Sequence, residues 1–125
     1  LLCCNDTSLI KVQEIKPQIV VHPQELFFGH IESGHESGEE MFSIMNTGNS
    51  DLYVDPILMD GSRRYDIPEF ENEDLIIHPG EILDVPVQYV PITYEHNGAV
   101  VKVLSNDEEN PEIFVRLEGY VMLLK

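Results

Sequence analysis

Phe42-Ser-Ile-Met-Asn-Thr-Gly-Asn-Ser-Asp-Leu-Tyr-Val54 is the stretch on which the reading of this chain turns. Phe42 and Ile44 alternate on one side of it, and Leu52 and Val54 on the other. The Asn-Thr-Gly-Asn-Ser-Asp between them is rich in residues that tolerate positive φ or bond to their own backbone. The pattern predicts two strands joined as a tight hairpin, with Asn46, Gly48 and Asn49 serving the turn.

On both sides of this stretch the same period of two recurs and no helical period appears. Leu83, Val85, Val87 and Tyr89 alternate with Asp84, Pro86 and Gln88, which predicts a strand with one buried and one wet face. Pro86 requires either an edge strand or a position where a missing N–H costs nothing. Ala99, Val101 and Val103 form a further strand after Asn97-Gly98, and Ile113, Val115 and Leu117 form the last. Upstream, Ile19-Val20-Val21 and Leu26-Phe27-Phe28 are split by Pro23, so the first strand is expected to change sheets at His22-Pro23. Phe28-Gly29 is expected to end it. Pro56 is expected to bulge or end the strand that begins at Leu52, and Tyr65-Asp-Ile67 and Leu75-Ile-Ile77 are short strand candidates. His78-Pro-Gly80-Glu81 is a turn around Gly80, and Ser105-Asn106-Asp107 offers side-chain acceptors to an exposed turn. Roughly seven or eight short strands separated by turns predict an all-β, immunoglobulin-like sandwich.

The chain has 125 residues, enough for one domain and one core. Residues 1–16 carry little periodicity and suit a tether, leaving residues 17–125 for the sandwich. Twenty-three acidic residues against seven Lys and Arg give a net charge of −16. Such a surface repels phosphate backbones and anionic lipids, so no nucleic-acid partner is expected. The only two cysteines, Cys3 and Cys4, are adjacent and cannot staple the fold. Leu1-Leu-Cys-Cys4 looks like the end of a bacterial lipoprotein signal, which would make Cys4 the lipidated residue and a lipid anchor the sole route to a membrane. Two incidental thiols are the alternative.

No catalytic constellation is found. There is no Gly-x-Ser-x-Gly elbow, and the acidic residues form no recognisable pair with separated roles. The five histidines, His22, His30, His35, His78 and His96, share no ligand spacing, and neither Asn106–Asn110 nor Asp66–Asp74 has the order of a calcium loop. No metal and no cofactor are expected. Phe114 and Tyr120 alternate away from the inward set of the last strand, and they are the expected protein-binding surface.

The order Pro23, Phe28-Gly29, Gly34, then Phe42, Asn46-Thr-Gly48-Asn49, Leu52, then Pro79-Gly80-Glu81, Val87, Tyr89, Pro91, Ser105-Asn106-Asp107, Pro111, Leu117 and Gly119 resembles the ASH domain of Hydin-type proteins and the bacterial choice-of-anchor D domain. Both lie within the immunoglobulin-like group that includes the major sperm protein and PapD-like domains. The resemblance implies a scaffold whose Gly29, Asn46, Gly48, Asn49, Gly80, Asn106, Asp107 and Gly119 determine the fold, with no chemistry attached.

The expected function is therefore a non-enzymatic protein-interaction or structural module displayed at a bacterial cell envelope. Its partner would be another protein, met either by edge pairing along Ile113 to Val121 or by docking on Phe114 and Tyr120. An intracellular scaffold of the ciliary or centrosomal type, cytoplasmic or ciliary in location, is one alternative. A secreted carbohydrate-binding or calcium-dependent adhesion module is another.

Overall fold

In a computed structural model of the chain, Ile19-Val20-Val21 forms β1 (Ile19–His22), and after a cis His22–Pro23 peptide β2 (Glu25–Glu32) continues in the opposite sheet. The structure describes residues 14–32, 39–59, 65–70, 75–89 and 96–122, with side chains for all of these except 30–32, 96–97 and 120–122. The remaining strands are β3 (Glu40–Asn46), β4 (Leu52–Met59), β5 (Tyr65–Asp66), β6 (Ile76–Ile77), β7 (Ile82–Tyr89), β8 (His96–Ser105) and β9 (Glu112–Met122). They form a four-stranded sheet, β1-β3-β7-β5, and a five-stranded sheet, β2-β9-β8-β4-β6. This is the all-β sandwich that the alternation predicts. The strand number among the described residues reaches nine because the expected first strand is two, β1 and β2, one in each sheet.

The core is the set of inward positions that alternation selects. Phe42 and Ile44 of β3 and Val85 and Val87 of β7 face Leu52 of β4, Val101 and Val103 of β8 and Val115 of β9, all fully buried. Each such side chain contributes roughly 1.5–3 kcal/mol relative to exposure. Three rings join the two sheets at one end: Tyr65 stacks on Tyr89 with centroids 4.8 Å apart, and Phe28 lies 5.5 Å from both. Burial, with Tyr89 and Glu118 nearby, pushes the Tyr65 phenol up. The Tyr89 ring lies over Gly119, where a Cβ would stand 2.7 Å from Cζ, so β9 carries no side chain at that point.

Four local readings are corrected. The stretch between Phe42 and Val54 is not a hairpin, because β3 and β4 belong to different sheets and its loop crosses the sandwich. Its turn residues specify a tight reversal, which a crossover needs as much as a hairpin does. Phe28-Gly29 does not end a strand: β2 runs on to Glu32, and Gly29, at φ 76°, sits where the register with β9 shifts between Phe27 and His30. A bulge there uses the left-handed backbone that glycine adopts without strain. Pro56 does not end β4, which continues to Met59 opposite β8. Both interior prolines fall where the strand has one neighbour, since β6 meets β4 only at Leu52 and Tyr53 and β5 meets β7 only at Tyr89 and Gln88. Finally, the turn at Ser105-Asn106-Asp107 is not simply exposed, because Asp107 is 4% accessible.

Candidate protein-docking face

Asn46 and Asp107 are the buried polar residues among those described, and both hold the same segment. Asn46 Oδ1 accepts from Gln18 N at 3.3 Å and from Gly48 N at 2.9 Å, while its Nδ2 donates to Ser50 O at 2.7 Å and to Ile77 O at 2.8 Å. Asp107 Oδ2 accepts from Ile19 N and its Oδ1 from Glu109 N, each at 2.9 Å. Burial alone would raise the Asp107 carboxyl. The N–H groups of Ile19 and Glu109, with the side chain and N–H of Asn110, outweigh it and hold the carboxyl below its ordinary range.

The neighbouring turn residues complete this pole. Asn49 accepts from Lys16 N at 2.8 Å and donates to Glu14 O at 3.0 Å, so the docked chain reaches back to Glu14. Gly48 lies against that chain, and a Cβ would stand 2.6 Å from Gln18 N. Gly80, at φ 84°, donates its N–H to Asn46 O at 2.8 Å. Asn106 accepts from Tyr53 N at 2.8 Å and donates to Asp51 O at 3.2 Å. These groups spend their hydrogen-bonding capacity on the backbone, so the Asn106–Asn110 turn is a structural tie. Nearby, His78 Nδ1 meets Asp51 Oδ1 at 2.7 Å, and that hydrogen bond and charge raise the imidazole above its ordinary value. Among the described residues no three metal-ligating side chains converge.

The outer face of the five-stranded sheet has a different character. Val115 and Leu117 point inward from β9, so Phe114, Arg116 and Glu118 point outward; by the same alternation Val100, Lys102 and Leu104 leave β8, and Tyr53, Asp55, Ile57 and Met59 leave β4. The register places Ile57, Lys102 and Phe114 in one cross-strand row and Met59, Val100, Arg116 and Glu25 in the next. Of the nine large apolar side chains left exposed among the described residues, five lie here: Phe27, Tyr53, Ile57, Met59 and Phe114. Phe114 is 49% and Tyr53 51% accessible. The face also carries Lys102 and Arg116, the latter 3.6 Å from Glu25, so it is less acidic than the chain as a whole.

Phe114 thus stands in the middle of a larger apolar surface. Tyr120 is on β9 opposite His30 and His96, and its side chain lies outside the described residues, as does the whole of Cys4. Tyr53 was missed in the sequence, although its alternation with Leu52 and Val54 is the signal that marks it outward. Phe27, Ile57 and Met59 carry no such signal, since their apolar runs do not show which side is outward. Edge pairing along the last strand is overturned: β9 lies between β8 and β2, and β2 pairs with it in parallel from Glu25 to Glu32. A strand thirty residues into the chain occupies the edge that the final strand would have offered.

No protein-family model and no curated protein sequence matches the chain. Solved structures do. The chain is similar to the ASH/PapD-like domain 7 of human CEP192, with 12% identity, a TM-score of 0.68 and 92% of each chain covered. It is similar to a Porphyromonas gingivalis W83 protein of unknown function, with 13% identity and a TM-score of 0.69 over 85% of this chain and 47% of that one. It is also similar to WR4, an MSP family member of C. elegans, with 11% identity and a TM-score of 0.51 over 83% and 97%. The chain therefore has the immunoglobulin-like fold of the ASH, MSP and PapD-like group, and it spans about half of the Porphyromonas protein.

Proposed function

We propose that this chain is a non-enzymatic interaction module that docks another protein on the outer face of its five-stranded sheet, around Phe114. The observation that carries the reading is the set of five exposed apolar side chains on β2, β4 and β9, with Ile57 and Phe114 in one cross-strand row, on a chain of net charge −16. Tyr120 joins the proposal on its place in the sequence, at an alternating position of the same strand as Phe114. The sandwich supplies rigidity, and the rows supply a flat surface on which a partner excludes water. On this reading the module is held at a bacterial envelope by a lipid on Cys4, the support for which is the Leu-Leu-Cys-Cys start.

The test is a Phe114→Ser, Tyr53→Ser double variant. The expected result is a melting temperature within a few degrees of wild type, since exposed substitutions usually cost under about 0.5 kcal/mol, together with loss of a partner crosslinked in the native host. A collapse in stability would mean that these side chains serve the core, and an unchanged crosslinking pattern would remove the face as the docking site. A second reading, an intracellular structural module, is favoured by the likeness to the CEP192 domain over nearly the whole length of both chains. The intact mass of protein from the native host separates the two: a diacylglycerol adduct absent from Cys4→Ser supports the envelope, and free thiols support the cell interior.

A further inference from the structure

Past Asp55 the inward side of β4 loses its cover. Leu52 and Val54 are buried, whereas Pro56 and Leu58, the next inward positions, are half-buried although their cross-strand partners Val103 and Val101 are fully buried. The cause is topological, because β6 pairs with β4 only at Leu52 and Tyr53. Ile67 and Phe70 pack against the core beside this gap but do not close it. What remains is a groove of about 470 Å³ lined by Pro56, Leu58, Ile67, Pro68, Phe70 and Leu75, with Glu69 on its wall and Asp55 and Ile57, the outward neighbours on β4, at its rim.

The charge on the groove is one-sided among the described residues: Asp55 and Glu69 border it, and no Lys or Arg does. An apolar floor in such a setting repels a phosphate, an anionic lipid or a second copy of this chain at −16, and attracts a cation. Pro56, in the strand beside the groove, donates no N–H, so a continuous backbone ladder cannot hold an occupant there and side chains must do so. We propose that the groove takes a short segment of a basic protein in which apolar side chains are flanked by Lys or Arg. Phe114 is not among the lining residues, although Asp55 and Ile57 border both surfaces, so the Phe114→Ser variant is what tells the two apart.

The test measures fluorescence anisotropy of labelled octapeptides with the full chain. One peptide alternates Leu with Lys, and a second replaces every Leu by Ser. The Leu–Lys peptide is expected to bind at least tenfold more tightly than the Ser–Lys peptide. It should weaken at least tenfold in Glu69→Lys, an exposed position on the groove wall, and be unchanged in Phe114→Ser. Equal binding of the two peptides would reduce the effect to bare charge and overturn the groove. So would indifference to Glu69→Lys, or loss of binding in Phe114→Ser, which would move the peptide onto the sheet face. Phe70→Ser, checked for retained fold by its amide NMR spectrum, should reproduce the loss without changing the charge.

Discussion

Replacing Asn46 by Ala tests the claim that one buried amide holds the crossover between the sheets. The substitution removes two donated and two accepted hydrogen bonds from a residue with no accessible surface. The Ile77 carbonyl is left unsatisfied in a buried site, for which about 1–3 kcal/mol is the expected cost. Ser50 O, Gly48 N and Gln18 N are part-buried and recover some water contact, so roughly 0.5–1 kcal/mol each is appropriate. The total is about 2.5–6 kcal/mol, a large share of the roughly 5–15 kcal/mol that holds a domain together. In melting temperature that is a fall of about 10–20 °C for a domain of this size. Urea unfolding followed by tyrosine fluorescence is the assay, since the chain has five Tyr and no Trp. Asn46→Asp is the companion variant: it keeps an oxygen for Gln18 and Gly48 but turns another towards the Ser50 and Ile77 carbonyls, and it should be no more stable than the Ala variant at neutral pH. A loss under about 1 kcal/mol in Asn46→Ala, or a wild-type midpoint in Asn46→Asp, would refute the amide as the tie.

Gly119→Ala should cost about 1–3 kcal/mol because its Cβ meets the Tyr89 ring, and near-ultraviolet circular dichroism should report the displaced ring. Gly29→Ala, with open space but φ 76°, should cost about 1–2 kcal/mol with no change in that signal. Asp107 has a lowered folded pKa, so its contribution is present above the ordinary carboxylate value and is lost as pH falls through the folded one; Asp107→Asn should flatten the acid limb of stability against pH. His78 has a raised folded pKa, so its tie to Asp51 is complete below the ordinary imidazole value and is lost as pH rises through the folded one. An NMR titration should show that Asp51→Asn brings the His78 imidazole back down.

The strands were legible because the chemistry that makes them is local. Leu83 to Tyr89 shows its buried face by alternation alone, and Pro23 splits two apolar runs at the change of sheet, whereas Pro56 and Pro86 are absorbed within strands because each lies where its strand has one neighbour. What was not legible is which strand lies beside which. Asn46 to Asp51 carries every mark of a tight turn, yet the pairing of β3 with β1 and β7, and of β4 with β8 and β6, is decided by packing between residues far apart in the chain. For the same reason Ile113 to Val121 read as an edge, although β2 fills that edge from the other end of the sequence. The site divides likewise. Phe114 is outward by the parity of its own strand, whereas the groove beside Pro56 and Leu58 depends on how short β6 is, and two-residue strands leave almost no periodic signal.

The ties at the Asn46 pole also set how the sandwich carries load. A pull arriving from before Glu14 meets Asn49 at Glu14 and Lys16, Thr47 at the Gln18 carbonyl, Asn46 at the Gln18 amide and Asp107 at the Ile19 amide before it reaches the ladder between β1 and β3. Those bonds run to two separate loops, the β3–β4 crossover that joins the sheets and the β8–β9 turn of the five-stranded sheet. Tension is therefore shared across the sandwich at its point of entry, and β1 is shielded from being peeled off one residue at a time.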